Sequence, residues 1–213
     1  LNKADDLRHG FWCVFPETIR DTTMKETSYY DQIFDGLDCS DAKFCGMECE
    51  SCIFRDCNFS NSDLSQNTFM DCQFQNCTMS TVNFKNTHLK NVNFNACKLT
   101  GVDFGNCNHF LFSVTFEQCR LDYSVFDRNA LRNSRFADCR IHEASFVESD
   151  LSGAVFHRCD LLHTVFSRNN LQGADFRTAD NYSIDPSVNK IEHAKFSYPG
   201  VLGLLDAYDI TVE

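Results

Sequence analysis

"CIFRDCNFSNSDLSQNTFMDCQFQNC", Cys52 to Cys77, places Cys52, Cys57, Cys72 and Cys77 in one short span. They could be metal ligands, disulfide partners or core residues, and the residues between them decide. Phe54, Phe59, Leu64, Phe69 and Phe74 stand five apart, and each cysteine lies two places before such a centre. The step continues through Met79, Phe84, Leu89, Phe94, Leu99 and Phe104, and backward through Cys49, Phe44, Cys39 and Phe34. A second run, in a shifted phase, goes from Phe116 through Leu121 and Phe126 to Leu171 and Phe176. Two places before most centres sits a small residue, such as Ser62, Val82, Val102, Ser124, Ala144 or Ala174. The other three places are mostly polar.

A helix repeats at about 3.6 residues and a strand at about 2, so neither explains a step of five. Five residues with two inward positions suit one side of a four-sided coil. Four sides make a turn of about twenty residues, and turns stack at about the 4.8 Å spacing of hydrogen-bonded strands. Each coil then contacts mainly its neighbours.

On this reading the cysteines are packing residues. A thiol is small and apolar enough to lie beside a phenylalanine ring. With stacked positions about twenty residues apart, Cys57, Cys77 and Cys97 are expected in one inner column and Cys119, Cys139 and Cys159 in another. The phase sends Cys45, Cys49, Cys52 and Cys57 to different sides, against the convergence that zinc requires. Parallel Cβ directions disfavour disulfides between stacked thiols. No metal and no cofactor is expected. Cys13 lies outside the pattern and has no assignment.

"SDLSGAVF", "CNFSN", "SDLSQ" and "ADFRT" resemble the pentapeptide-repeat family, whose unit is a small residue, a polar residue, Leu or Phe, and two variable residues. The resemblance covers roughly Gln32 to Asn181. It implies an all-β fold, a right-handed quadrilateral β-helix. The expected organisation is a non-repeat segment over 1–31, repeats over 32–181 with a phase slip at 105–115, and a final partial coil with a short helix and strand over 182–213.

The slip falls in "GNCNHFLFSVTF" (105–116), where Phe110, Leu111 and Phe112 cannot all point inward. A bulge or kink splitting the solenoid into two stacks is the expectation. At the C-terminus, "YPGVLGLLDAY" predicts a short capping helix from Pro199. Val201, Leu202, Leu204 and Leu205 on more than one side predict dimerisation. "DITVE" is a candidate terminal strand. At the other end, the residues before Met24 share none of the pattern. Phe11 and Trp12 are candidates to cover Phe34.

No Ser-His-Asp order, glycine-rich phosphate loop or HExxH is present, so an enzyme is not expected and no catalytic residue is assigned. His142 and His163 occupy outward positions and read as solvated. The net charge of -11 opposes direct nucleic-acid binding and docking on anionic lipid. No stretch approaches the roughly 18 apolar residues of a membrane span. The leading residues hold no secretory apolar run, and thirteen cysteines is an odd number, so a reducing cytoplasm is the expected location.

"LDYSVF", "ESDLSGAVF" and "GLLDAYDITVE" are similar to the gyrase-interacting branch of the family, the Qnr and MfpA proteins. That resemblance implies a DNA mimic binding a bacterial type II topoisomerase, gyrase or topoisomerase IV. The chain departs from plasmid Qnr in having no long loops, which puts quinolone protection in doubt. A stack of about 36 Å carries roughly one net negative charge per 3–4 Å, against one per about 1.7 Å for B-DNA. Arg128, Glu148 and Arg168, and also Asp138 and Arg158, share columns as solvated ion pairs. The acidic excess is at the end, with Asp180, Asp185, Glu192, Asp206 and Asp209. The alternative is a repeat scaffold for some other interaction, without topoisomerase activity.

Overall fold

The computed structural model describes residues 27–208 and 210–211. The chain winds as a four-sided solenoid of parallel rungs. Thr27–Tyr30, Met47–Glu50, Thr68–Met70 and His88–Lys90 pair on the first side. Thr27–Tyr30 precedes Gln32, so pairing on this side begins ahead of the repeats read from sequence. The second side is a seven-stranded parallel sheet running unbroken from Ile33–Asp35 to Val155–His157. The third is a ladder of single bridges from Asp38↔Asn58 through Lys98↔Arg120 to Asp160↔Asp180. The fourth carries the paired strands Ser145–Val147 and Val165–Ser167.

The five-residue unit explains the geometry. The centre and the residue two before it point inward, and the residue two after it turns the corner with positive φ. Asp56 (53°), Asn61 (57°), Asp71 (54°) and Asn76 (53°) are such corners. Asp and Asn tolerate this left-handed region better than other side-chain-bearing residues. Gly153, at 67°, fills a corner where an added Cβ would meet the Asn133 side chain. Between coils the amides bond as in a parallel sheet: Phe59 N–H donates to Thr78 O at 2.7 Å, and Thr78 N–H to Cys57 O at 2.9 Å.

Phenylalanines fill the interior as two continuous stacks. One passes through Phe54, Phe74, Phe94, Phe116, Phe136 and Phe156, with Phe54 and Phe74 centred 4.7 Å apart at 9°. The other passes through Phe84, Phe104, Phe126, Phe146 and Phe166. The stacks meet edge to face, as at Phe136 and Phe146, 6.0 Å and 85°. Such contacts contribute about 0.5–1.5 kcal/mol beyond area burial.

The phase slip does not divide the solenoid, contrary to the expectation from sequence. Val92↔Val114 and Phe94↔Phe116 pair across it, and the Phe94 and Phe116 rings stack at 5.2 Å and 11°. One coil is simply 22 residues long where its neighbours have 20. The extra residues lie between Asn108, whose N–H donates to Thr87 O, and Ser113, whose N–H donates to Leu89 O. Phe112 supplies the inward ring, while Phe110 (71% exposed) and Leu111 are pushed outside. The excess loops off the first side, so the second side keeps register.

The first side also has an inner column that is polar. Asn67, Thr87, Asn129, Ser149, Asn169 and Asn189 are all buried. Asn67 Oδ1 accepts from Met47 N–H at 2.8 Å, and its Nδ2 donates to Phe44 O at 3.1 Å. Asn169 repeats this with Ser149 N–H and Phe146 O. The side chain thus satisfies backbone groups that the sharp corner leaves unpaired.

The short helix expected from Pro199 is 3₁₀ in form. It forms two 3₁₀ turns, Gly200–Leu204 and Asp206–Tyr208. The reason is packing on Tyr182. A Cβ at Gly200 would collide with Tyr182 Oη, and one at Gly203 with Tyr182 O. Gly203 O accepts from Ile184 N–H at 2.9 Å. Ile210 and Thr211 are not in a strand.

Candidate functional site

All the described cysteines are free. The two expected thiol columns are one, because the long coil restores register: Cys97 and Cys119 are neighbours. Cys57, Cys77, Cys97, Cys119, Cys139 and Cys159 form a continuous buried ladder. Each thiol faces backbone oxygens; Cys97 Sγ lies 3.3 Å from Phe74 O and Cys119 Sγ 3.3 Å from Phe94 O. Burial, with Cys57 and Asp38 nearby, pushes the Cys39 thiol up to about 12. Burial likewise raises Cys107. Among the described residues no group of three or more Cys, His, Asp or Glu is placed to hold a metal ion. Nor is any helix there long and apolar enough to cross a membrane.

The second half of the solenoid binds up part of its own charge. Arg158 grips Asp138 through two bonds of 2.6 and 2.8 Å. Arg168 pairs with Glu148 at 3.0 Å, Arg140 with the buried Asp122 at 3.0 Å, and Arg177 with Asp175 at 2.7 Å. His142 is not the free solvated histidine read from sequence: its Nε2 lies 2.6 Å from Asp160 Oδ2, and its side chain is mostly covered.

Carboxylates at the two ends lack such pairs: in the first coils, among the described residues, Asp31, Asp35, Asp41, Glu48, Glu50 and Asp56 form none. Among the described residues, Asp180, Asp185, Glu192 and Asp206 form no ion pair within 4.0 Å. They do not form a single cluster. Asp185 stands at the Pro186 turn, where Ser187 bonds its carboxylate and holds it below the usual range. Glu192 is on the first side beside Gln172. Asp180 and Asp206 do converge, in a groove of about 490 Å³ between the last full coil and the 3₁₀ turns. Asp209 lies outside the described residues, as do Phe11, Trp12 and Cys13.

The four apolar residues expected at a dimer contact divide. Val201 (40% exposed) and Leu202 (46%) face solvent, with Tyr198 and Tyr208 exposed nearby in sequence. Leu204 packs on the core, and Leu205 is half-buried. Sequence alone could not separate them, because the expected helix would have spread them differently.

A four-sided coil of five-residue units, with no assembled catalytic group among the described residues, defines a pentapeptide-repeat solenoid. The sequence profile described as a pentapeptide repeat region matches residues 47–126 and 109–180. The chain belongs to the pentapeptide-repeat family. No curated protein matches it. Among solved structures it is similar to a trypsin-treated form of QnrB1, a plasmid-mediated fluoroquinolone resistance protein, at 20% identity and a TM-score of 0.45. That match covers 88% of this chain and 100% of the other. It is also similar to HetL, a pentapeptide-repeat protein involved in heterocyst differentiation regulation in the cyanobacterium Nostoc sp. Strain PCC 7120. There the identity is 12% and the TM-score 0.32, over 81% of this chain and 87% of the other.

Proposed function

We propose that this protein is a DNA mimic that binds the DNA gate of a bacterial type II topoisomerase, gyrase or topoisomerase IV, and inhibits it. The observation that carries the reading is the contrast in charge. In the second half of the solenoid arginines pair with Asp122, Asp138, Glu148, Asp150 and Asp175, while Asp180, Asp185, Glu192 and Asp206 at the C-terminal end form no ion pair within 4.0 Å among the described residues. A homodimer through the exposed Val201 and Leu202 brings two such ends together. It presents a longer rod with its excess charge at the centre, where a basic saddle for duplex DNA would meet it. The sequence resemblance to the Qnr and MfpA branch supports the same partner. The only departure from the 20-residue coil among the described residues is the two-residue excess near Phe110. That fits inhibition better than quinolone protection, which the resemblance links to long loops.

The test is a gyrase supercoiling assay with and without a quinolone, joined to binding measurements across a salt series. Parent protein should inhibit supercoiling. Its binding should weaken with salt, since screening lengths fall to about 8 Å near physiological ionic strength. Replacing Asp180, Asp185 and Asp206 by Asn should weaken binding, while disrupting the Arg168–Glu148 pair should change it little. Parent-like binding by the triple variant, or binding that ignores salt, sinks charge mimicry. The chain is then a scaffold for another interaction.

A further inference from the structure

Three successive coils carry a surface unlike the rest of the chain. Residues 85–91, 106–111 and 128–133 run along the first side and the corners at its two ends. Asn86 N–H donates to Asn106 O at 2.8 Å, and a Cβ at Gly105 would lie 3.0 Å from Asp127 O, so the three segments are stacked. They hold Lys85, Lys90, Arg128 and Arg132 with His88 and His109, and no aspartate or glutamate. In a chain with 30 acidic residues against 19 basic ones, this face reverses the prevailing charge. The lysines and arginines are all exposed. Arg132 pairs with Asp150. Lys85, Lys90 and Arg128 form no ion pair within 4.0 Å among the described residues.

At the centre of this face stands an apolar projection that the core does not require. Phe110 is 71% exposed and Leu111 55%. One coil earlier the place of Phe110 is held by Lys90, since His88 bridges to Asn108. Leu111 takes a corner with a φ of 56°, where Asn91 stands one coil earlier and Asn133 one coil later. That conformation favours asparagine over leucine. Beside the projection the ladder of the first side is interrupted. Bridges join His88 to Asn108 and Ala130 to Asp150, but among the described residues none joins Asn108 to Ala130.

We propose that this face docks a short acidic segment of a partner protein, with an apolar side chain of that segment seated on Phe110 and Leu111. Positive side chains around an exposed apolar pair are complementary to carboxylates around an apolar residue. An aromatic side chain at the centre of a contact is the usual anchor. A long polyanion fits less well. The three coils span only about 10 Å. Carboxylates bound them, with Glu48, Glu50 and Asp71 on one flank and Glu148 and Asp150 on the other. A nucleic-acid strand or a membrane surface would run into those charges, and a short segment would not. This face is separate from the C-terminal carboxylates, and the proposal stands whether or not the topoisomerase reading holds.

The probe is a fluorescein-labelled peptide with two leucines among four glutamates, titrated with the full chain and read by fluorescence anisotropy. Saturable binding is expected. Counterparts with glutamine for glutamate, or serine for leucine, should each bind about tenfold more weakly. Phe110→Ser with Leu111→Asn should weaken the probe about tenfold while thermal unfolding stays that of the parent. Lys90→Gln with Arg128→Gln should weaken it by a similar factor and reduce its dependence on salt. Equal binding of the glutamate and glutamine peptides, or parent-like binding by the chain lacking Phe110 and Leu111, overturns the inference. Tighter binding of a single-stranded oligonucleotide or of phosphatidylglycerol vesicles through the same residues also overturns it, and assigns the face to a polyanion. Loss of a dimer in the Phe110→Ser, Leu111→Asn chain, measured by light scattering, overturns it in favour of a second copy of this chain.

Discussion

Asn129 and Asn169 share the polar inner column, are both buried, and should respond unequally to the same substitution. Asn169 Oδ1 accepts from Ser149 N–H at 2.8 Å and its Nδ2 donates to Phe146 O at 2.7 Å. Asn169→Ala leaves both backbone groups buried without that partner, at roughly 1–3 kcal/mol each, so about 4 kcal/mol is expected. Asn129 follows the 22-residue coil, and neither Nδ2 nor Oδ1 has a partner. Removing that amide relieves roughly 1–3 kcal/mol of unmet desolvation, which offsets the small cavity created. The volume lost is the same at both sites, so the cavity contribution largely cancels between them. The two alanine variants should therefore differ by about 3 kcal/mol or more. For a chain of this size that is roughly 6–12 °C in Tm. Thermal unfolding followed by the β signal in circular dichroism measures it. If Asn129→Ala loses as much stability as Asn169→Ala, the hydrogen bonds are not what the column contributes and the reasoning fails.

Thiol labelling of the native protein should be slow at Cys57, Cys77, Cys97, Cys119, Cys139 and Cys159 and fast after denaturation; rapid native labelling would contradict the buried ladder. Phe110→Ser and Leu111→Asn should shift stability by less than about 0.5 kcal/mol, whereas Phe112→Ala should cost about 3 kcal/mol, measured by urea unfolding. Arg158 holds Asp138, and Arg177 holds Asp175, below the ordinary carboxylate value of 3.8. Depressed carboxylates stabilise the fold above that pH and lose the contribution as pH falls through their folded values. Acid titration should accordingly show stability declining below about pH 4, and Asp138→Asn should flatten the decline. Val201→Asp with Leu202→Asp should give monomers by light scattering with the β signal intact; a variant that remains dimeric moves the interface elsewhere.

The fold was legible because inward positions are read by the core, and the core tolerates few residue types. Phe54, Phe74 and Phe94 had to be large and apolar, and Cys57 and Cys77 small, so the step of five survives in the sequence. The corners were equally legible and were passed over: Asp56, Asn61, Asp71 and Asn76 all sit two places after a centre, where positive φ favours them. The polar column escaped because Asn67 and Asn169 break the rule that inward residues are apolar. They are tolerated only because their amides bond to backbone that no sequence pattern displays.

The candidate site was less legible, for a reason that also bears on how the protein acts. Charge at outward positions is constrained by neighbours about one coil away and not by the core. Glu148 and Arg168, or Asp138 and Arg158, could be matched by counting, and both pairs are formed. His142 and Asp160 could not, since they are 18 residues apart and not the 20 of a coil. At the chain's end counting fails altogether. A partial coil continues the ladders at Lys190 and Lys195, and Gly200 and Gly203 then fold the chain back onto Tyr182. Asp180 and Asp206 therefore line one groove between the last full coil and the 3₁₀ turns. The arginine pairs are confined to residues 120–177, so among the described residues the carboxylates of the first coils, such as Asp31, Asp35 and Asp56, stand without ion pairs as those of the last do, and counting along the sequence could not have told the two ends apart.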